Sequence, residues 1–140
     1  LEKKLLIAKK KNKLPKILIP VHFAGLPTDQ ERIFDLSKKY NFKIIEDAAH
    51  AIGGKYLGEP IGNCNYSDIT VFSFHPVKII TTGEGGAALT NDSSLAHKMA
   101  LLRSHGITRS NDEMTKTSDG PWYYQQHFLG FNYRMNDHFI

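Results

Sequence analysis

Strand-like and helix-like segments alternate along the chain, which predicts an α/β fold of three layers, helices packed on a mostly parallel sheet. Two further observations support this. The run "KILIPVHF" is short and apolar with a strand reading, and "SDITVFSF" reads as a buried strand. Polar, reactive side chains gather just past those runs, at the sheet edge where open α/β folds collect ligands.

The elements follow in order. "LEKKLLIAKKKNK" reads as a lysine-rich helical run, and "KILIPVHF" over 16–23 as a strand. "PTDQERIFDLSKKY" over 27–40 opens on proline, carries early acids and places Ile33, Phe34 and Leu36 on one side, which predicts an amphipathic helix. "FKIIED" over 42–47 is a second strand ending in two acids. A glycine-rich stretch over 53–62 precedes strands at "SDITVFSF" (67–74) and "GAALTN" (86–91). "DSSLAHKMALLRSHG" over 92–106 predicts the clearest helix, with Asp92 or Ser93 as cap, an apolar side of Leu95, Met99 and Leu102, and Gly106 as its stop. Residues 107–127 are polar, lack a sustained period and read as a surface loop. There Trp122, Tyr123 and Tyr124 either stack on a nucleotide base or pack locally or against a partner. Near the end, Asn136 or Asp137 is a candidate N-cap with few residues after it. With the uncapped opening run, this predicts an internal segment of a longer protein.

The 140 residues are 41% hydrophobic and 23% charged, the composition of one globular domain rather than a disordered or fibrous chain. No apolar run approaches the roughly 20 residues that span a bilayer, and no secretory pattern is present. Cys64 is the single cysteine, which excludes an intrachain disulfide framework and fits a reducing, cytoplasmic setting; no metal site is expected. The net charge of +4 owes much to Lys3, Lys4, Lys9, Lys10, Lys11 and Lys13, without the arginines, aromatics or module of a nucleic-acid binder. No GxGxxG follows a strand, which sets aside a dinucleotide-binding domain.

At the predicted strand ends lie His22, then Glu46, Asp47 and His50, then Ser73, His75 and Lys78. Asp47 and Lys78 form either an ion pair or a reactive pair. A lysine amine forms a Schiff base with a carbonyl when desolvation or nearby positive charge leaves part of it unprotonated. Pro76 stiffens the approach to Lys78, and the loop with Gly83, Gly85 and Gly86 admits close backbone approach. Pyridoxal 5′-phosphate is the carbonyl cofactor that requires such a lysine, an acid at its ring nitrogen and hydroxyl donors for its phosphate. Lys78, Asp47 and Ser73 are the candidates for these parts.

The blocks "IIEDAAHAIGG", "SFHPVKIITTGEGGAALTND", "RSHGI" and "LGFNYRMND", in this order and spacing, resemble the DegT/DnrJ/EryC1/StrS sugar aminotransferases over about residues 17–140. The resemblance implies the pyridoxal-phosphate-dependent transferase fold type I, of which 1–140 is the central part of the large domain, without its N-terminal segment and C-terminal small domain. It implies that Lys78 is the Schiff-base lysine and Asp47 the acid at the pyridine nitrogen. It further implies that His50 lies near the ring's 3-oxygen, that Ser73 binds the phosphate, and that Asn132 reaches the phosphate of a neighbouring subunit's cofactor. A homodimer with shared sites follows, acting on a nucleotide sugar with glutamate as amino donor. "PVHFAG" and "SFHPVKIITTGEGG" are most similar to the branch that aminates UDP-linked 4-keto-6-deoxy hexosamines for pseudaminic-acid-type surface sugars.

Two rival readings fit less well. Family dehydratases replace the Schiff-base lysine with histidine, whereas Lys78 is present here. A non-catalytic dimerisation or regulatory module would not need Lys78, Asp47 and Ser73 together. Glu84 either shapes the site or pairs within its loop; His22 and His75 carry no assignment.

Overall fold

The computed structural model describes residues 1–136, so the Asp137 cap candidate lies outside the described residues. Along the chain run α1 (Glu2–Lys10), β1 (Ile17–Leu18), α2 (Gln30–Tyr40), β2 (Lys43–Asp47), β3 (Lys55–Tyr56), β4 (Glu59–Pro60), β5 (Ile69–Ser73), β6 (Gly86–Leu89), α3 (Ser93–Arg103), β7 (Ile107–Thr108) and β8 (Gln125–Gln126). The main sheet has the order β1-β2-β5-β6. Its first two pairings are parallel and the last, β5 with β6, is antiparallel. β2 and β5 register Glu46 with Thr70 and Asp47 with Val71, which brings the carboxyl ends of both strands to one edge.

The elements begin and end where local chemistry dictates. The 16–23 strand pairs only at Ile17 and Leu18, because Pro20 has no N–H to continue the ladder. Pairing resumes at one bridge, Val21 with Asp47. α2 starts at Gln30 rather than at Pro27, since the Asp29 carboxylate accepts the Arg32 N–H at 3.4 Å and caps the helix there. α3 is capped as expected: Asp92 Oδ1 accepts from Ser94 N–H at 2.8 Å and Leu95 N–H at 3.1 Å. At its far end His105 takes the left-handed position, φ 62°, and Gly106 N–H returns to the Leu101 carbonyl at 2.7 Å. The stop is therefore shared by His105 and Gly106.

Two hairpins depart from the loop expectations. β3 and β4 pair around Leu57 and Gly58, whose φ angles of 50° and 88° fit a two-residue primed turn. β7 and β8 pair within the 107–127 segment, registering Ile107 with Gln126 and Thr108 with Gln125.

Burial alternates along the central strands and divides the sheet into unlike faces. Ile44, Glu46, Thr70 and Phe72 are buried, whereas Ile45, Asp47, Ile69 and Ser73 are half-buried and Val71 is exposed. Leu5, Leu36, Tyr40, Phe42 and Ile44 form one core cluster, which joins α1 and α2 to β2. Ala48, Ala51, Ile61 and Phe72 form a second under the carboxyl ends of β2 and β5. At about 25 cal/mol per Å² of apolar surface, burial in the first cluster presses α1 and α2 onto the sheet, while the second seals the strand ends against the turns that follow them. Among the described residues, no helix is long and apolar enough to cross a membrane.

Candidate active site

Asp47 is the last residue of β2, on the half-buried face. Its backbone is clamped by the chain after β1: Asp47 N–H donates to the Pro20 carbonyl, and His22 N–H donates to the Asp47 carbonyl, both at 2.9 Å. One carboxylate oxygen, Oδ1, accepts the Ala49 N–H at 3.1 Å. The other has no partner among the described residues.

Ser73 ends β5, two residues beyond Val71, the partner of Asp47, and so lies on the same face one step further along. Its Oγ accepts the His75 N–H at 3.3 Å, which starts the turn that carries Lys78. That turn closes through Lys78 N–H to the His75 carbonyl at 2.9 Å. The rest of the loop folds back on Phe74. The Phe74 carbonyl accepts from Thr82 N–H at 3.1 Å and Thr81 Oγ1 at 2.9 Å, and Phe74 N–H donates to the Gly85 carbonyl at 2.9 Å. Gly86 then pairs with Ser73, and a Cβ there would stand 2.6 Å from the Phe72 carbonyl oxygen. The last glycine of "GEGG" is thus required by the closeness of β6 to β5.

The Lys78 ammonium makes no hydrogen bond or ion pair among the described residues, so the plain Asp47–Lys78 ion pair does not form. Lys78 is half-buried, while its neighbours Val77 and Ile79 are 78% and 65% exposed. A half-buried amine without a counter-ion and a carboxylate with one open oxygen suit a cofactor that offers a carbonyl carbon and a ring N–H. Pyridoxal phosphate fits that donor set.

His50 is exposed, three residues past Asp47. Its Nδ1 accepts the Ala24 N–H at 3.4 Å, and Phe23 meets its ring edge-on at a centroid distance of 6.2 Å. Ala24 adopts a left-handed conformation, φ 52°, within a short 3-10 turn over Phe23–Gly25. Asn132 is exposed and pairs with Ser104 through a single bridge. Its Oδ1 accepts from Arg134 Nε at 3.2 Å and Nη2 at 2.9 Å, which leaves the amide N–H groups to donate elsewhere. No contact joins Asn132 to Asp47, Ser73 or Lys78, although its segment passes the glycine loop: Met135 Sδ lies 3.8 Å from Thr82 Oγ1. Glu84 is 82% exposed at its side chain and 4.0 Å from His75 Nε2, which favours the loop-pair reading. Trp122 and Tyr123 meet edge-on at 6.1 Å, the local packing alternative.

Sequence reasoning left one group unassigned that the structure places at the centre of this region. His22 is fully buried, its Nδ1 accepts the Thr28 N–H at 3.2 Å, and its Nε2 lies 3.6 Å from Glu46 Oε2. Glu46 is 3% exposed and also accepts the Thr70 hydroxyl at 2.9 Å. The available signal was the "HF…TD" loop beside "ED", but no spacing rule links a loop histidine to the acid of a neighbouring strand.

Comparison with known proteins identifies the family and the fold. Residues 3–139 match the DegT/DnrJ/EryC1/StrS aminotransferase family. The UDP-4-amino-4,6-dideoxy-N-acetyl-beta-L-altrosamine transaminase of Campylobacter jejuni is 43% identical over 117 residues, which are 84% of this chain and 28% of that enzyme. Helicobacter pylori PseC, an aminotransferase involved in the biosynthesis of pseudoaminic acid, superposes with a TM-score of 0.78 at 34% identity, over 94% of this chain and 32% of PseC. Streptococcus pneumoniae Spr1654, solved in a PMP form, gives a TM-score of 0.67 at 32% identity over 83% of this chain and 33% of its own. Its PLP form gives 0.64 at 31% identity, again over 83% of this chain and 32% of its own. The chain thus spans about a third of these relatives, and its architecture is that of fold-type-I aminotransferases. The chain belongs to the DegT/DnrJ/EryC1/StrS aminotransferase family.

Proposed function

We propose that this chain is the central part of the large domain of a pyridoxal-phosphate-dependent aminotransferase that moves an amino group from glutamate to a keto carbon of a nucleotide-linked deoxy sugar. The observation that carries the reading is the unpartnered Lys78 amine past β5, next to a strand whose last residue, Asp47, keeps one carboxylate oxygen open. When bound, pyridoxal phosphate supplies the electron sink that makes a substrate C–H bond acidic.

Each residue of the chain then has its own task. Lys78 Nζ would hold the cofactor and would serve as the general acid and base that moves a proton at the substrate. Asp47 Oδ2 accepts the ring N–H and keeps that proton in place, while the Ala49 N–H on Oδ1 fixes the carboxylate plane. Ser73 Oγ donates to the phosphate, and the His50 ring flanks the 3-oxygen. Asn132 turns its free amide donors to the phosphate of a second copy, so the working unit is a homodimer in the cytoplasm. The likeness to the Campylobacter transaminase and to PseC favours a UDP-linked 4-keto-6-deoxy hexosamine, destined for a surface glycan or flagellin sugar.

The test is spectroscopic. The full-length protein, loaded with pyridoxal phosphate, is expected to absorb at the violet edge of the visible range and to bleach when glutamate is added. A band that persists in Lys78→Ala refutes the lysine assignment. A screen of nucleotide keto sugars with glutamate, read by mass spectrometry, identifies the acceptor.

A further inference from the structure

We infer that His22 is a positioning residue, whose buried ring holds both Asp47 and His50 in their places; this rests on reading the site as a pyridoxal phosphate site. The ring works in two directions. On one side Nδ1 accepts the Thr28 N–H at 3.2 Å, which closes the loop 22–28 on itself. That loop presents the Ala24 N–H to His50 Nδ1 and holds Ala24 left-handed, a conformation that non-glycine residues adopt reluctantly. The Thr28 hydroxyl also lies against Nδ1, at 3.5 Å. On the other side Nε2 lies 3.1 Å from the Gln30 amide nitrogen, Nε2, and packs against the Glu46 carboxylate with Oε2 3.6 Å away. Glu46 is joined in turn to Thr70 on β5.

Glu46 immediately precedes Asp47, and His22 N–H itself holds the Asp47 carbonyl. One residue therefore holds the backbone of Asp47 through its own N–H and packs its ring against the Glu46 carboxylate, while its other ring nitrogen sets the loop that meets His50. His22 lies with Glu46 and Thr70 among the buried side chains, whereas Asp47 is on the half-buried face. It acts on the site through these neighbours and not on the reacting atoms. A fully buried polar chain of this kind costs stability if any member loses its partner, so its arrangement is strongly specified.

Two amide substitutions separate the arms. His22→Asn has an oxygen where Nδ1 stood and keeps the Thr28 acceptor; His22→Gln reaches the Nε2 position and keeps the contact with Glu46. Hydrogen–deuterium exchange on the cofactor-free, full-length protein reads the two arms without any catalysis. In His22→Gln, peptides over 22–28 exchange about tenfold faster; in His22→Asn, peptides over 43–51 do so. In both, exchange over α3 stays at the wild-type rate. Both variants also bind pyridoxal phosphate about tenfold more weakly, measured by titration of the cofactor-free protein, from the loss of one oriented contact. Glu46→Gln, which keeps the volume of its side chain, reproduces the His22→Asn pattern and serves if a histidine variant does not fold. Unchanged exchange in both arms overturns the inference, as does acceleration spread equally over α3, which marks a purely structural histidine. Local acceleration with unchanged cofactor affinity overturns the link to the site. If the wild-type protein takes up no cofactor, the proposed function fails, while the exchange pattern still decides whether His22 positions Asp47 and the loop.

Discussion

Replacing Asp47 with asparagine removes a charge and very little else. The Ala49 N–H that now donates to Oδ1 at 3.1 Å finds the same acceptor in an amide oxygen, and the backbone clamps to Pro20 and His22 do not involve the side chain. Asp47 is in no ion pair with a protein cation among the described residues, so the fold loses no salt bridge. What disappears is the negative charge at the open oxygen, opposite the ring nitrogen of the proposed cofactor. Opposite unit charges about 4 Å apart near a protein surface attract by about 4 kcal/mol. Without that attraction the ring nitrogen would lose the partner that keeps its proton in place, and a loss of this size in the protonated, electron-withdrawing form corresponds to a reaction about a thousandfold slower. The assay is a rapid-mixing measurement of the half-reaction with glutamate, followed at the cofactor's visible band, with the urea midpoint as control. Asp47→Asn is expected to unfold near the wild-type midpoint, to retain some cofactor, and to react about three orders of magnitude more slowly. A loaded, folded variant that reacts within about tenfold of wild type refutes the role given to this carboxylate.

Four further outcomes are expected. Asp92→Ala removes the acceptor of the Ser94 and Leu95 N–H groups and costs about 1 kcal/mol, read as a lower urea midpoint. Ile44→Ala empties a side chain only 2% exposed in the first core cluster and costs about 2–5 kcal/mol in the same measurement. Burial opposes the charge of Asp68, but the Lys43 ammonium and the Ile44 N–H, each 2.8 Å away, outweigh it and hold its pKa below the ordinary 3.8. Its contribution is present above that value and is lost as pH falls through the lower folded-state pKa; Asp68→Asn should trail wild type at pH 6 and converge with it in acid, by thermal melts. Lys78→Ala and Asn132→Ala, each inactive alone, should recover activity when their subunits are exchanged, because one site of the mixed dimer escapes both changes; subunit exchange with no recovery counts against shared sites.

The layered fold was legible because alternation of element types and apolar runs depends on neighbours close in sequence. The same holds for the Asp92 cap and for the Ser73–Lys78 turn, whose hydrogen bonds link residues within five positions of one another. What escaped depends on tertiary context. The Leu57–Gly58 turn puts a leucine at φ 50°, a place where asparagine or glycine is the usual signal. The β1 pairing stops short of the apolar run because Pro20 interrupts the ladder, although "ILIPV" reads as continuous by hydropathy. His50 has the expected position after Asp47, yet its Ala24 partner is 26 residues away, beyond any local rule. Asn132 was legible as a residue type, whereas its bond to Arg134 was not anticipated from the motif.

The two acids that end β2 show how much chemistry one step along a strand decides. Glu46 and Asp47 differ by a methylene, and as text they are interchangeable candidates for a ring-nitrogen partner. The period of two sends them to opposite faces. Glu46 falls among the buried residues, 3% exposed, where Thr70 and the His22 ring occupy it. Asp47 falls on the half-buried face with one oxygen free. A slip of one residue against β5 would exchange the two roles: it would bury the acid that must be reachable and free the acid that ties the sheet to the 22–28 loop. The register of Glu46 with Thr70 is held against such a slip by the hydroxyl–carboxylate bond across the two strands, so the side chain that does no chemistry fixes which neighbour can.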